Sequence, residues 1–188
     1  MEPPRQNFGN HLLIALPSLR DRYFERSVTL ICQHDADGAM GIVVNRASEY
    51  TVGEVLRQMG IASEDSALQA QAVLAGGPVH PERGFVLHDG GQPYDSSLAV
   101  GDGLYLTTSR DVLEAMARGE GPPQALLALG CAGWGAGQLE QELLDDSWLL
   151  APNRADVLFQ LPLAQRWQAA AGGIGIDLLN HASHSGHA

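Results

Sequence analysis

Hydrophobic and polar positions along this chain follow two different periods, and the switches between them mark out the elements. His11-Leu12-Leu13-Ile14-Ala15-Leu16 is a short apolar run closed by Pro17 and reads as a buried strand. Ser27 to Gln33 and Met40 to Asn45 read as two more strands rich in β-branched residues. Asp37-Gly38 between them supplies hairpin turn chemistry, because glycine tolerates positive φ. Thr51-Val52-Gly53-Glu54 is a capping box that opens a helix running to about Met59. The polar stretch from Ala62 to Gln71 reads as a surface connection.

Val73-Leu74-Ala75 reads as a strand that stops at Gly76-Gly77-Pro78. Gly84 to His88 and Gly103 to Thr107 read as strands flanking a turn-rich Asp89-Gly90-Gly91-Gln92-Pro93, which points to a hairpin. Thr108-Ser109-Arg110-Asp111 begins a second helix that ends near Gly119. Ala125 to Leu129 is continuously apolar and predicts a central strand. Gly137 to Asp146 places Leu139 and Leu143 on one helical face. Trp148-Leu149-Leu150 is a short strand, and Pro162 sits in the first turn of a last helix reaching about Ala171. Strands that come in pairs, not in regular βαβ alternation, predict an α+β fold. One domain over 1–188 is expected, with a flexible tail from Asn180 to Ala188.

Charge narrows the chemistry. The chain carries 22 acids against 11 bases, a formal net charge of −11. Every base is an arginine, so a P-loop lysine and Schiff-base chemistry are both excluded. An acidic chain is repelled by the phosphate backbone that dominates nucleic-acid affinity, which argues against direct DNA binding. Arg20, Arg22 and Arg26 are interleaved with Asp21 and Glu25 and read as a self-neutralised loop. Two distant cysteines, no secretory h-region and no apolar run long enough to span a bilayer predict a cytoplasmic protein with free thiols.

The segment with the most unusual composition is Gly130-Cys131-Ala132-Gly133-Trp134-Gly135-Ala136-Gly137-Gln138-Leu139-Glu140. It reads as a strand entering a glycine-dense loop that opens a helix, a junction able to aim amides at an anion. Gln138 stands where a dinucleotide fingerprint needs its last glycine, so the segment is not a Rossmann loop. Alternatively, the glycines make a tight turn that lets Trp134 pack against the sheet. Cys131 lies near a helix start that would lower a thiol pKa, but a buried inert cysteine is the expected state. His34, His80 and His88 lack metal-ligand spacing, and His181, His184 and His187 suit only opportunistic capture. No cofactor and no metal site is expected. Nucleophile-elbow, zinc-protease and kinase motifs are absent.

Leu13 to Pro17 with Phe24 to Val28, the hairpin His34 to Arg46, Gly76 to Val79, Gly84 to His88 and above all Ala132 to Glu140 with Trp148-Leu149 resemble the AlgH/YqgE family of bacterial proteins. The resemblance runs in order from about residue 8 to the Gly186-His187-Ala188 ending. It implies an α+β domain whose bent, bifurcated, mostly antiparallel sheet forms a pseudo-barrel with helices outside. Members usually carry an aromatic residue where Cys131 stands, which weakens a role for the thiol. The family name comes from a proposed regulator of alginate synthesis, and its usual label is transcriptional regulator.

The leading expectation is a non-catalytic, regulatory binding domain for a small ligand or protein partner, acting as a monomer or weak oligomer. Its expected ligand-binding residues are His34, Asn45, Arg46, Gly76, Gly77, Pro78, His88, Gly133, Trp134, Gly135, Gly137 and Gln138, polar and glycine positions at strand ends. Two alternatives stay open. A hydrolase for a small phosphate or acyl substrate requires His34 or His88 beside an acid or nucleophile. A DNA-binding regulator requires a contiguous arginine face.

Overall fold

The computed structural model describes residues 7–19, 21–90 and 93–172. The elements in chain order are β1 (His11–Ala15), β2 (Val28–Asp35), β3 (Gly38–Val43), β4 (Ala47–Thr51), α1 (Val52–Gln58), α2 (Ser66–Ala70), β5 (Ala72–Ala75), β6 (Val79–His88), β7 (Ser97–Gly101), β8 (Leu104–Thr107), α3 (Arg110–Ala117), β9 (Ala125–Gly135), α4 (Gln138–Leu144), β10 (Trp148–Pro152), α5 (Ala155–Phe159) and α6 (Leu163–Gly172). The expected tail from Asn180, Arg20 of the arginine loop, and Gly91-Gln92 of the expected turn lie outside the described residues.

The fold is α+β, with a curled, mostly antiparallel sheet ordered β10-β1-β2-β3-β9-β6-β8-β7 and β4-β5 joined at β9. The single parallel pairing among the described strands is β5 with β9, through Leu74↔Ala128 and Ala75↔Leu129. β9 is where the sheet divides. Its first half pairs with β6 on one side and β5 on the other, while Ala132 to Gly135 pair with β3. Gly130, at φ 80°, makes the bend between the halves. The curl brings its ends together at Asn10, whose Nδ2 donates to Asp102 at the β7–β8 turn at 3.0 Å. Asn153, just past β10, donates to Asn10 Oδ1 at 3.0 Å.

Three cores result. Leu12 and Ile14 point into one with Leu30, Ile42 and Leu87, covered by α5 and α6, while Leu13 and Ala15 point into another with Ile31, Trp134 and Trp148. Burial on both faces explains why β1 shows no polar alternation. The third core lies beneath α1 and α3. Thr51 caps the helix: its Oγ1 accepts the Glu54 amide at 3.3 Å, starting α1, and donates to the Glu54 carboxylate in place of the backbone bond of a full capping box.

Several expectations need correction. Gly130 to Gly135 are not a loop but the second half of β9. At Gly130, and at Gly38 and Gly41 of β3, close neighbours fill the Cβ position, whereas Gly133 and Gly135 have room for one. A Cβ on Gly38 would lie 2.2 Å from the Trp134 carbonyl oxygen, and one on Gly41 2.7 Å from that of Leu30. The stretch from Ala62 to Gln71 contains α2, capped by Asp65. β6 and β8 do pair, through Val86↔Thr107 and Leu87↔Leu106, but β7 lies between them in sequence and makes its own hairpin with β8.

Candidate functional site

Most of the expected ligand-binding residues engage their own chain. Asn45 Oδ1 accepts the Val28 amide and its Nδ2 donates to the Arg26 carbonyl, both at 2.9 Å, so the side chain pins the loop before β2. The Arg46 guanidinium donates to the Glu25 carbonyl and lies 5.5 Å from the Tyr23 ring centroid. Gly76 and Gly77 are buried where the chain crosses β9; a Cβ on Gly77 would come 2.0 Å from the Cys131 carbonyl carbon. Pro78 is exposed beside them.

Trp134 and Gln138 belong to one polar network. The indole nitrogens of Trp134 and Trp148 donate to the same Glu142 oxygen at 3.2 and 3.0 Å. Gln138 Nε2 donates to the other Glu142 oxygen at 2.9 Å, and Gln138 Oε1 accepts the Gly135 amide at 2.9 Å. This network fastens α4 to β9 and β10. Gly133, Gly135 and Gly137 are exposed beside it, Gly137 at φ 75° as the residue before α4.

His34 and Gly137 do meet, in an open cleft shared with Asn7, Asp35, Asp37 and Glu140. His34 Nε2 lies 2.6 Å from Glu140 Oε1, the acid contact a hydrolase reading requires. The other ring nitrogen accepts the Phe8 amide at 3.0 Å, and the Phe8 ring stacks on the imidazole at 5.2 Å. With Nδ1 accepting, Nε2 carries the proton and donates to Glu140, so neither nitrogen is left to take a proton from substrate. The imidazole is buried at 2 % side-chain exposure, and no serine, threonine or cysteine lines this cleft among the described residues.

His88 is fully buried, its Nε2 2.7 Å from Thr107 Oγ1, which in turn lies 2.7 Å from Ser97 Oγ. Burial holds its pKa below the ordinary histidine value, against a smaller opposing pull from Asp89. Burial raises both thiols, Cys32 most strongly, so neither cysteine is an activated nucleophile. Among the described residues no three His, Cys, Asp or Glu side chains converge to hold a metal ion.

A second cleft lies elsewhere, over the α1–α3 core. It has a volume of about 480 Å³ and is walled by Val55 of α1, Met59 just past its end and Leu113 of α3. Its floor is the sheet: Gly84↔Leu129 and Val86↔Leu127 are neighbouring cross-strand pairs of β6 and β9 that all line it. Tyr50, Gln58, Glu82, Thr108 and Arg110 give it a polar mouth. Gly84 is the unusual member. Its φ is not positive, and a Cβ there would meet only Leu127 Cδ1, at an ordinary 3.7 Å. Neither backbone geometry nor crowding calls for glycine, and its lack of a side chain deepens the floor. From sequence this glycine reads as the first residue of a strand, whereas it lies inside β6; the walls come from segments too far apart in the chain to be associated by reading.

The AlgH-like family model matches residues 12–179. A UPF0301 protein of Stenotrophomonas maltophilia is 66% identical over 181 residues, covering 96% of each chain. Another, of Xanthomonas axonopodis pv. citri, is 67% identical over 180 residues, again covering 96% of each. The solution structure of the AlgH protein from Pseudomonas aeruginosa matches all of both chains with TM-score 0.80 and 42% identity. A crystal structure of a Corynebacterium diphtheriae protein matches 97% of this chain and 94% of its own, with TM-score 0.75 and 22% identity, and so shares the fold.

Proposed function

The chain belongs to the AlgH-like family, and from that premise we propose that it is a non-catalytic binding domain whose site is the cleft between α1, α3 and the β6–β9 floor. The observation that carries this reading is Gly84, which leaves space in a strand floor where a side chain would fit without strain. Binding sites for small molecules are concave, mostly apolar and edged by a few polar groups, and this cleft has that composition. A regulatory role would act through occupancy of the cleft, since α1 and α3 form both its walls and the roof of the core beneath. The free thiols Cys32 and Cys131 support a cytoplasmic setting.

The hydrolase reading is weaker because both nitrogens of His34 are already engaged. The DNA-binding reading is weaker because of the net charge of −11. A neutral solvatochromic dye such as Nile red tests the proposal. Its emission should brighten and shift to the blue with the wild-type protein and with Gly133→Ala, and do neither with a folded Gly84→Phe variant. Equal responses from all three proteins would place the dye elsewhere and remove the cleft as the site.

A further inference from the structure

We infer that the cleft selects a small amphiphile with an apolar body and a cationic ammonium end, and discriminates against the corresponding carboxylate. This rests on the cleft being the binding site. The selectivity follows from which charges at its mouth are already compensated.

Arg110 is the one basic residue among those lining the cleft, and it is paired. Arg110 Nε lies 3.1 Å from Glu114 Oε1, and its Nη1 donates to the Met59 carbonyl at 2.6 Å. The N-terminus of α3, a second source of positive potential, is served by its own acid: Asp111 Oδ1 accepts the Ser109 hydroxyl and the Val112 amide. The other Asp111 oxygen accepts the Asp95 amide at 2.9 Å. An incoming carboxylate would meet an arginine whose charge Glu114 already offsets and a helix start whose dipole Asp111 already offsets.

The negative group is not paired. Glu82 is exposed on the first half of β6 and lines the cleft, with no ion-pair or hydrogen-bond partner among the described residues. Tyr50, 43 % exposed, lines the same cleft and adds an aromatic ring. A carboxylate and an aromatic face are the two groups that best receive an ammonium ion. The field of a chain at −11 favours the same sign of ligand. The apolar walls, Val55, Met59 and Leu113 over the Gly84 floor, receive the hydrocarbon.

Titration calorimetry of the full chain with octylammonium, 1-octanol and octanoate separates the terms. The neutral alcohol reports the cleft alone and the two ions report its charge preference. Octylammonium should bind about 10-fold more tightly than octanoate, a difference of about 1.4 kcal/mol. Glu82→Gln should remove most of that preference by weakening octylammonium relative to both octanol and octanoate, which separates a local carboxylate from the general field of an acidic protein. Gly84→Phe should weaken all three, and Gly84→Val should weaken them less. Octanoate binding as tightly as octylammonium, or a preference that survives Glu82→Gln, overturns the charge selection while the cleft stands. Failure of octanol to bind, or binding indifferent to both Gly84 variants, overturns the cleft and this inference with it.

Discussion

Replacing Gly77 by alanine should be among the most damaging small substitutions in this chain. A Cβ there would lie 2.0 Å from the Cys131 carbonyl carbon, 2.1 Å from its oxygen and 2.4 Å from the Ala132 nitrogen. Carbon atoms in favourable contact sit about 3.5–4.0 Å apart, so the overlap exceeds an ångström. It falls on backbone, which no rotamer change can move. Relief requires the glycine step to pull away from β9. That strains the Gly76 amide bond to the Leu129 carbonyl and the Val43 amide bond to the Gly76 carbonyl, both 2.8 Å long. Two buried backbone hydrogen bonds at about 1 kcal/mol each and overpacking at about 1–3 kcal/mol sum to roughly 4 kcal/mol. At about 2–4 °C per kcal/mol for a protein of this size, the melting temperature should fall by about 8–16 °C. Circular dichroism melts of Gly77→Ala and Gly133→Ala make the comparison. The second variant meets nothing nearer than Val79 Cγ2 at 3.9 Å and should stay within about 0.5 kcal/mol of wild type. A Gly77→Ala protein that melts within about 2 °C of wild type would refute the backbone-crossing account.

Two further outcomes follow from the polar networks. Glu142→Ala leaves the Trp134 and Trp148 indole nitrogens without their shared acceptor and should cost about 2 kcal/mol or more, with altered tryptophan fluorescence, whereas Glu142→Gln keeps an acceptor oxygen and should cost less than half as much. Stability should also fall on acidification, read as the urea midpoint against pH. Burial holds His88 low. Asp156 is held low first by its hydrogen bonds from Arg154. For Asp111, burial pushes upward but the hydrogen bonds from Ser109 and the Asp95 and Val112 amides outweigh it. Each group therefore binds its proton more readily unfolded, so stability present at neutral pH is lost as pH falls, from about 6.5 for the histidine and from about 4 for the acids. A midpoint flat from neutrality to pH about 5 would contradict the buried neutral His88.

Where local chemistry decides an element, the sequence was readable. The Thr51 cap, the Asp37-Gly38 turn and the Leu139/Leu143 spacing each produced the expected element. Reading failed where a residue answers to a distant neighbour. Glycine density in Gly130 to Gly135 suggested a loop, yet those residues lie in a strand paired with β3, and Gly130 is pressed against the Gly77 carbonyl. The five-residue helices α2 and α5 are too short to show a period, and β4 is mostly exposed and carries no alternation. The cleft was illegible because its floor and walls come from β6, β9, α1 and α3, each of which reads alone as an ordinary core element.

Amide chemical-shift mapping with 1-octanol tests the cleft most directly. Perturbations should centre on Gly84, Val86, Leu113, Leu127 and Leu129 and be absent from Gly133 to Gln138. Shifts concentrated at Gly133 to Gln138, with the β6–β9 floor silent, would contradict the account and return recognition to the tryptophan-flanking glycines.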